Sequence, residues 1–236
     1  MKTKTQWEGA VDIYNDGMGS EGDKLNGHII YPALTKLLGP LEGKKILDSG
    51  CGSGYFTAKL AAHAREVIGT DFSEKFIMLC KSKYITVSNM TFEQQDVTEK
   101  MPFGNGIFDI IISKMVLQYV ADLAMFAAES LRTLRTNGHL LIVVDHPFHS
   151  QFYFAQKLAG AGTTKYKKLS HYFDRGEQLK KSLWGKADLT WYPKTVTDYI
   201  MPFLTAGFSL HAIEELAEEK KDTSIPRILI LDFIRN

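Results

Sequence analysis

Residues 46–56 of the chain read ILDSGCGSGYF, and this stretch decides the fold class. A short apolar run ends in Asp48, and three glycines follow at alternate positions, Gly50, Gly52 and Gly54. A glycine-rich turn between a strand and a helix lets backbone N–H groups approach a ligand closely, and that ligand is usually a nucleotide. The stretch therefore predicts a strand, a nucleotide-binding turn and a helix. A tight turn that serves only helix–sheet packing is the alternative.

The alternation of strand and helix repeats along the chain. Strands are predicted at residues 44–49, 66–70, 90–95, 108–113 and 139–144, and helices at residues 24–38, 55–63, 73–83 and 123–134. Asn137 and Gly138 are interpreted as the end of the last helix. Such alternation is typical of an α/β fold, in which helices cover both faces of a mostly parallel sheet. Ligands of such sheets bind beyond the carboxyl ends of the strands.

The pattern changes after Asp145. Residues 147–193 hold ten aromatic residues, with eight Lys or Arg against three Asp or Glu, so this segment has a net charge of +5. We interpret it as an inserted cap whose aromatic side chains provide an apolar substrate pocket. Aromatic residues that pack a small core of the cap itself, with solvated lysines around them, are the alternative. The pattern then resumes with a helix at residues 195–206, a helix end at Gly207, and closing strands at residues 208–214 and 225–235.

The amino-acid composition and charge limit the kinds of protein that this chain can be. The 236 residues are 44% hydrophobic and 23% charged, which suits one domain of residues 1–236 with a helical segment at residues 1–40. The net charge of +1 gives no overall field that favours nucleic acid or an anionic membrane. The two cysteines argue against a disulfide framework, and neither shows metal-ligand spacing, so no metal is expected. Without a secretory signal or a run of ~20 apolar residues, we expect a soluble, cytoplasmic protein.

Acidic residues follow three of the predicted strands, at the edge where a ligand is expected. A carboxylate at Asp71 can accept two hydrogen bonds from a ribose diol, although a helix N-terminus also favours an acid at this position. Asp96 can accept from an adenine amino group while the backbone N–H of Val97 donates to a ring nitrogen; an acid that only starts a loop is the alternative. Asp48 can orient an ammonium group or brace the turn.

The spacing of the glycines argues against a dinucleotide. The dinucleotide fingerprint is G-x-G-x-x-G, whereas the third glycine here comes one residue early and Tyr55 occupies the dinucleotide position. No Lys or Arg lies in the turn, and no Walker-type G-K-[ST] follows it. A ligand with an adenine, a ribose, a carboxylate and an ammonium group fits these acids better than a pyrophosphate does. S-adenosylmethionine (SAM) is such a ligand.

At this point the chain resembles the class I SAM-dependent methyltransferases. The resemblance is carried by ILDSGCGSGYFTAKLA at the turn, VIGTDFSEKFI and TFEQQDV at the next two strands, residues 101–143, and TDYIMPFLTAGFSLHAIEE with RILILDFIR at the end. It covers roughly residues 25–145 and 194–236, and it implies a Rossmann-like sheet of seven strands whose last strand is antiparallel. The segments VVDHPF and AGF also resemble a group of bacterial small-molecule methyltransferases, although PKT stands where many of those have HRT.

The resemblance implies which residues bind the cofactor. Phe72 would lie against the adenine, the carbonyl of Ser113 would accept from the ammonium group, and Gln118 would lie near the sulfonium. Tyr14 is added because the N-terminal segment is expected to fold over the cofactor, with packing against the first helices as its alternative role. The full set of expected cofactor-binding residues is Tyr14, Asp48, Gly50, Cys51, Gly52, Gly54, Asp71, Phe72, Asp96, Val97, Ser113 and Gln118.

The predicted reaction is transfer of the SAM methyl group to a nitrogen or oxygen atom of a small-molecule metabolite. The cofactor carries the electrophile, so the protein must align a nucleophile and exclude water. A neutral amine needs no base, whereas a hydroxyl does. His146, beside Asp145, is the candidate base, and a loop histidine packed by Pro147 is the alternative. The weaker candidates are His149, Tyr153 and His171.

Two other functions stay open. The first is a SAM-binding regulatory or partner protein that transfers no methyl group, and the second, weaker one is an NAD-type oxidoreductase. The set of motifs and the large cap favour the methyltransferase. Nucleic acid is disfavoured as a substrate because the chain outside the cap is net acidic and has no continuous basic stripe.

Overall fold

The computed structural model describes residues 2–150, 172–218 and 222–236 of the chain. Within these ranges the strands are β1 (Lys45–Ser49), β2 (Glu66–Asp71), β3 (Met90–Gln94), β4 (Phe108–Lys114), β5 (Leu134–Asp145), β6 (Gln178–Ser182), β7 (Ala187–Trp191), β8 (Phe208–Glu218) and β9 (Asp222–Arg235). Seven of them form one sheet in the order β3-β2-β1-β4-β5-β9-β8, and β6 pairs with β7 separately.

The first five strands of the sheet run parallel to one another, and β9 runs antiparallel to both of its neighbours. The predicted seven-stranded, mostly parallel α/β sheet with an antiparallel last strand is confirmed. Because β1 to β5 are parallel, their carboxyl ends meet at one edge of the sheet. The residues that follow them are therefore brought together there.

Seven α-helices surround the sheet in the described residues. They are α1 (Lys2–Glu8), α2 (Val11–Met18), α3 (Tyr31–Leu38), α4 (Tyr55–Ala61), α5 (Glu74–Lys83), α6 (Ala124–Thr133) and α7 (Val196–Ala206). Local chemistry fixes several of their ends. Ser73 Oγ accepts from the backbone N–H of Phe76 at the start of α5, and Thr195 and Asp198 form a capping box at the start of α7. Gly207, with φ of 114°, ends α7 as predicted.

Apolar side chains are buried on both faces of the sheet. Ile46 and Ile110 belong to one core cluster, and their chain neighbours Leu47 and Ile111 belong to the other. Successive side chains of a strand point to opposite faces, so a near-continuous apolar run is what a sheet buried on both sides requires. Each of these four side chains is almost fully buried, which stabilises the fold by about 1.5–3 kcal/mol per residue.

The start of β5 differs from the prediction, which placed it at residue 139. The helix stops at Thr133, and β5 begins at Leu134, so Asn137 and Gly138 lie inside β5 rather than after the helix. Asn137 does have a positive φ of 61°. The pairing of β5 with β4 shifts register between Phe108 and Ile110, and pairing with a neighbouring strand therefore decides a boundary that the local turn residues do not.

A hairpin occupies the second half of the segment predicted as a cap. β6 and β7 pair antiparallel, with Ser182 opposite Ala187, whereas residues 151–171 of that segment lie outside the described residues. The backbone N–H of Thr190 in β7 donates to Gln6 Oε1 of α1 at 2.9 Å, which joins the hairpin to the N-terminal helices. In the parts of the chain that the structure describes, no helix is long and apolar enough to cross a membrane.

Candidate active site

A cavity of about 470 Å³ lies at the carboxyl edge of the parallel strands. Its walls come from the glycine turn, the segments that follow β2 to β4, the last residue of β5, the helices α1 and α2, Arg227 of β9, and the loop between β6 and β7. Eight of the twelve predicted cofactor residues line it. These eight residues are Tyr14, Gly50, Gly52, Asp71, Phe72, Asp96, Val97 and Gln118.

The glycine turn is held against β2. The backbone N–H groups of Gly50 and Cys51 both donate to the carbonyl of Thr70, at 2.7 and 2.8 Å. Gly50 has φ of 84°, and a Cβ there would lie 2.2 Å from a methyl carbon of Val116; at Gly52, with φ of 53°, a Cβ would lie 3.0 Å from the Tyr14 ring. Backbone strain and close approach therefore both require glycine, and the turn exposes main chain to the cavity.

Asp71 ends β2 and faces the cavity. Its Oδ2 accepts from the backbone N–H of Gly52 at 3.0 Å, and its Oδ1 accepts from that of Ser73 at 2.9 Å. Burial raises the pKa of the Asp71 carboxyl to about 6, although the two hydrogen bonds act in the opposite direction. The backbone thus fixes the orientation of the carboxylate, and each oxygen keeps a second lone pair for a ligand.

The next acid, Asp96, lies beyond the end of β3. Its Oδ1 accepts from the backbone N–H and from the hydroxyl of Thr98, at 2.9 and 2.7 Å. Phe72 and the buried Val97 lie in the same wall of the cavity. The structure therefore brings together the three residues that were expected around an adenine.

Gln118 is a buried polar residue of the cavity whose side-chain amide lacks well-formed hydrogen bonds in the described residues. Its side chain is 1% exposed, and neither amide atom has a hydrogen bond of normal geometry with another described residue. The phenol of Tyr119 lies beside it. A buried amide without partners costs free energy, so Gln118 has donor and acceptor capacity to offer a ligand.

Tyr14 packs across the glycine turn. Its ring meets those of Trp7 and Phe76 edge-on, with centroids 5.9 and 5.4 Å apart. Burial raises the pKa of its phenol well above the usual range, so the hydroxyl stays protonated. The expectation that the N-terminal segment covers this end of the cavity agrees with this position.

Four predicted cofactor residues lie behind the cavity wall instead of in it. Asp48 is 1% exposed and accepts from the Thr57 hydroxyl at 2.6 Å, and burial raises the pKa of its carboxyl to about 6. A Cβ at Gly54 would lie 2.9 Å from the Cys80 sulfur. The four residues are Asp48, Cys51, Gly54 and Ser113, and in this structure they support the turn.

His146 does not line the cavity either. Its Nε2 lies 2.7 Å from Glu215 Oε1, and its Nδ1 accepts from the backbone N–H of Phe148 at 3.1 Å. Burial lowers the pKa of the imidazole, and Glu215 opposes that shift. With both ring nitrogens engaged outside the cavity, the geometry gives no support to His146 as the base. The weaker candidates Tyr153 and His171 lie outside the described residues.

Lys114 is a cavity residue that the sequence reasoning missed. It is 8% exposed, and its Nζ donates to Asn26 Oδ1 at 2.9 Å and to the Tyr55 hydroxyl at 2.7 Å. The same ammonium lies 4.9 Å from the centre of the Tyr55 ring. A lysine at the carboxyl end of an apolar strand is the sequence feature that could have identified it.

A charged cluster at the far end of the cavity was also missed. Arg227 Nη1 donates to Asp145 Oδ1, and Lys180 Nζ lies 3.4 Å from Asp145 Oδ2. Burial alone would raise the pKa of Asp145, but Lys180 and Arg227 outweigh it and lower the value to about 2. Arg227 interrupts an otherwise apolar closing strand, IPRILILDFIR, which was its only sign in the sequence.

Comparison with known proteins identifies the family. Residues 47–142 match the family model described as methyltransferase domain. The chain thus contains a methyltransferase domain of the SAM-dependent type. Members of this family use SAM as the methyl donor and release S-adenosylhomocysteine.

Relatives of this methyltransferase extend the match beyond that domain. It is 27% identical to an uncharacterized protein of Haemophilus influenzae over 199 residues, which covers 81% of the chain and 77% of that protein. It is 30% identical to a ubiquinone biosynthesis O-methyltransferase of Mesorhizobium japonicum over 170 residues, with 68% of the chain and 65% of the relative covered. The match thus spans just under two thirds of that relative.

The fold is shared with solved structures. The crystal structure of an S-adenosylmethionine-dependent methyltransferase from Mesorhizobium loti superposes with a TM-score of 0.71 at 24% identity. The superposition covers 87% of this methyltransferase and 97% of the other chain. Among the described residues, no group of three or more His, Cys, Asp or Glu side chains could hold a metal ion.

Proposed function

We propose that this methyltransferase transfers the methyl group of SAM to a nitrogen or oxygen atom of a small-molecule metabolite. The observation that carries the proposal is the continuity of the 470 Å³ cavity. One end has the glycine turn and the acids that follow β2 and β3, and the other end has aromatic and charged side chains from β5, β9 and the hairpin. One cavity can therefore hold a nucleoside cofactor and a small acceptor together.

The nucleoside end has the donors and acceptors that SAM requires. The free lone pairs of Asp71 accept from the ribose hydroxyls, because two backbone N–H groups already hold the carboxylate in place. Asp96 and the backbone of Val97 read the edge of the adenine, and Phe72 lies against its face. The close approach of Tyr14 to Gly52 places this ring at the end of the cavity where the cofactor would bind.

Lys114 extends this assignment to the amino-acid part of SAM. It ends β4, the neighbour of β1 in the sheet, so its ammonium lies beside the glycine turn. Within the described residues, this buried ammonium donates to the neutral oxygens of Asn26 and Tyr55, so its positive charge is available to the SAM carboxylate. Asp48 acts from behind the wall, where its carboxylate accepts from the Thr57 hydroxyl of α4 next to the turn.

The protein's part in the reaction is positioning. When bound, SAM would supply an electrophilic methyl group for the acceptor's lone pair. Gln118 is placed to orient the acceptor, and the aromatic walls exclude water. Asp145, with a pKa of about 2, and Tyr119, with a pKa of about 12, are a weak base and a protonated phenol at neutral pH. These values favour an acceptor that needs little help from a base, such as a neutral amine or an acidic hydroxyl.

The test is transfer of label. The protein is incubated with methyl-labelled SAM and a pool of small metabolites, and labelled products are separated by chromatography. Label in a discrete small molecule, absent without protein, is the expected result. Tight binding of S-adenosylhomocysteine without transfer to any pool would instead indicate a SAM-binding partner protein.

A further inference from the structure

The charged cluster lies at the acceptor end of the cavity. Asp145 ends β5, and Arg227 stands next to Ile228, which pairs with Asp145 across β5 and β9. Three strand spacings separate β2, which carries Asp71, from β5, a distance of about 14 Å at the usual spacing of strands. If the nucleoside binds at Asp71, as proposed above, Asp145 and Arg227 face the acceptor rather than the cofactor.

The cluster has more positive than negative charge. Asp145 is one carboxylate between two cations, Arg227 and Lys180. His149 lies 3.2 Å from Arg227 Nη1, and burial together with Arg227 lowers its pKa to about 4, so it is neutral at pH 7. Glu218 Oε2 lies 4.0 Å from Arg227 Nε, but this side chain is 44% exposed and does not line the cavity. Lys180 does not line the cavity either, but its side chain is 18% exposed against 44% for Glu218, so the less exposed part of the cluster has an excess of one positive charge.

The walls between this cluster and the cofactor end are aromatic. Trp184 and Tyr192 come from the hairpin and the segment after it, and Tyr119 follows β4. The Tyr119 hydroxyl lies 3.3 Å from Ser182 Oγ, and the backbone N–H of Tyr192 donates to the Gln118 carbonyl at 2.9 Å, so the aromatic walls are tied together. Flat, mostly apolar walls suit a planar ring.

Gln118 supplies the independent sign of a ligand. Its amide is almost completely buried, lines the cavity and has no hydrogen bond of normal geometry in the described residues. Gln118 follows β4, and Arg227 lies on β9, two strand spacings away, which is about 10 Å. A single aromatic ring with polar groups at opposite positions, hydrogen-bonded at each end, spans such a distance.

We infer that the methyl acceptor is an aromatic carboxylate: its carboxylate binds Arg227, its ring lies between the aromatic walls, and the atom to be methylated lies beside Gln118. Arg227 suits this group because its planar guanidinium offers several N–H donors to a carboxylate. The single excess charge fits a monoanion better than a phosphate dianion. This inference rests on the proposed function, because it assumes that the other end of the cavity holds SAM.

The experiment compares an acid with its neutral amide. Binding of 4-hydroxybenzoate and of 4-hydroxybenzamide is measured by calorimetry in the presence of saturating S-adenosylhomocysteine, and the pair 4-aminobenzoate and 4-aminobenzamide is measured likewise. We expect the acids to bind at least tenfold more tightly than the amides. We expect Arg227→Gln to abolish this preference without weakening the amides, and Arg227→Lys to restore part of it.

Arg175→Gln is the matched control, because Arg175 lies near the hairpin, is paired with Asp198 and does not line the cavity. It should keep the preference for acids. Unchanged binding of S-adenosylhomocysteine shows that each variant is folded. Equal binding of acid and amide by the unaltered protein, no binding of either, or an equal loss of both in Arg227→Gln would overturn the inference while S-adenosylhomocysteine still binds. Failure of S-adenosylhomocysteine itself to bind would overturn the proposed function, and the inference with it.

Discussion

The carboxylate of Asp71 is oriented before any ligand arrives. Two backbone N–H groups hold it, one from the glycine turn and one from the start of α5. Asp71→Ala should therefore weaken binding of S-adenosylhomocysteine by about 1–3 kcal/mol, the scale of losing hydrogen bonds to a charged group. Calorimetric titration measures it, and Asp188→Ala, an exposed acid of the hairpin, is the control. An unchanged affinity in Asp71→Ala would remove this residue from the site.

The raised pKa of Asp48 predicts how the free energy of unfolding depends on pH. Burial gives its carboxyl a pKa of about 6 in the folded protein, against 3.8 for an exposed aspartate. Folding therefore favours the protonated form, so this stabilisation is complete below about pH 4 and is lost as pH rises through 6. The charge then costs the folded state up to about 3 kcal/mol at neutral pH.

Asp48→Asn removes that charge. Urea unfolding at pH 5 and pH 7 should show the variant gaining stability relative to the unaltered protein as the pH rises. Asp12→Asn, on the surface helix α2, provides the comparison for a change of net charge alone. A difference between Asp48→Asn and the unaltered protein that does not change between the two pH values would contradict the raised pKa.

Part of the site could be predicted from the sequence because some of its residues directly follow predicted strands. Asp71 and Asp96 were predicted to face a ligand because acids that follow parallel strands meet at one edge. His146 was predicted on the same ground, but successive residues of a strand point to opposite sides. Asp145 faces the cavity, so His146, one residue later, does not. Lys114 and Arg227 could not be found because a single cation is usually exposed, and only tertiary packing shows that these two are partly buried in a cavity wall.

The ends of helices were predicted closely where a capping side chain or a glycine fixes them. The start of α5 at Ser73 and both ends of α7 were predicted closely because a capping side chain or a glycine fixes each of them. The end of α6 was predicted to within one residue, but β5 was predicted to begin at residue 139 and begins at Leu134, which pairs with Phe108 of β4 before the register shift. A short stretch of sequence contains the turn residues, but it does not show which strand will pair with the residues around them.

The contact between α2 and the hairpin gives a prediction about these two elements. Gly17 lies in α2, and a Cβ there would lie 2.1 Å from ring atoms of Trp184. Trp184 itself has a positive φ of 59°, a strained conformation for a large side chain. The Trp184 ring of the hairpin loop thus packs directly against Gly17, which has no side chain. The same ring also lines the cavity.

Gly17→Ala should displace the Trp184 ring. Replacing a helical glycine by alanine ordinarily stabilises a helix by about 1 kcal/mol, so a fall in melting temperature, with a change in tryptophan fluorescence and weaker acceptor binding, identifies the clash. Gly27→Ala is the control because a Cβ at Gly27 meets nothing within 4 Å. A stabilised Gly17→Ala protein with unchanged fluorescence would show that the hairpin does not depend on this contact.

At the scale of the whole molecule, the cavity joins segments that are far apart in the sequence. Trp7 of α1 packs edge-on against Tyr119 with ring centroids 5.2 Å apart, and Gln6 holds Thr190 of the hairpin. Asp71 and the glycine turn contribute from the opposite wall. A ligand that contacts all of these segments therefore has to be lost when any of them unfolds, so its binding free energy adds to the stability of the whole fold.

Thermal unfolding tests this coupling together with the identity of the cofactor. At a concentration 100 times its Kd, S-adenosylhomocysteine should stabilise the folded protein by about 2.7 kcal/mol, which corresponds to roughly 5–10 °C in Tm for a chain of this length. Asp71→Ala at the same ligand concentration should show a smaller rise, because less of the protein is saturated. NAD should leave Tm unchanged, since the early third glycine leaves Tyr55 at the dinucleotide position. A rise with NAD and none with S-adenosylhomocysteine would contradict the assignment of this cavity to SAM, and a smaller rise in Asp71→Ala than in the unaltered protein ties the ligand to the carboxylate that ends β2.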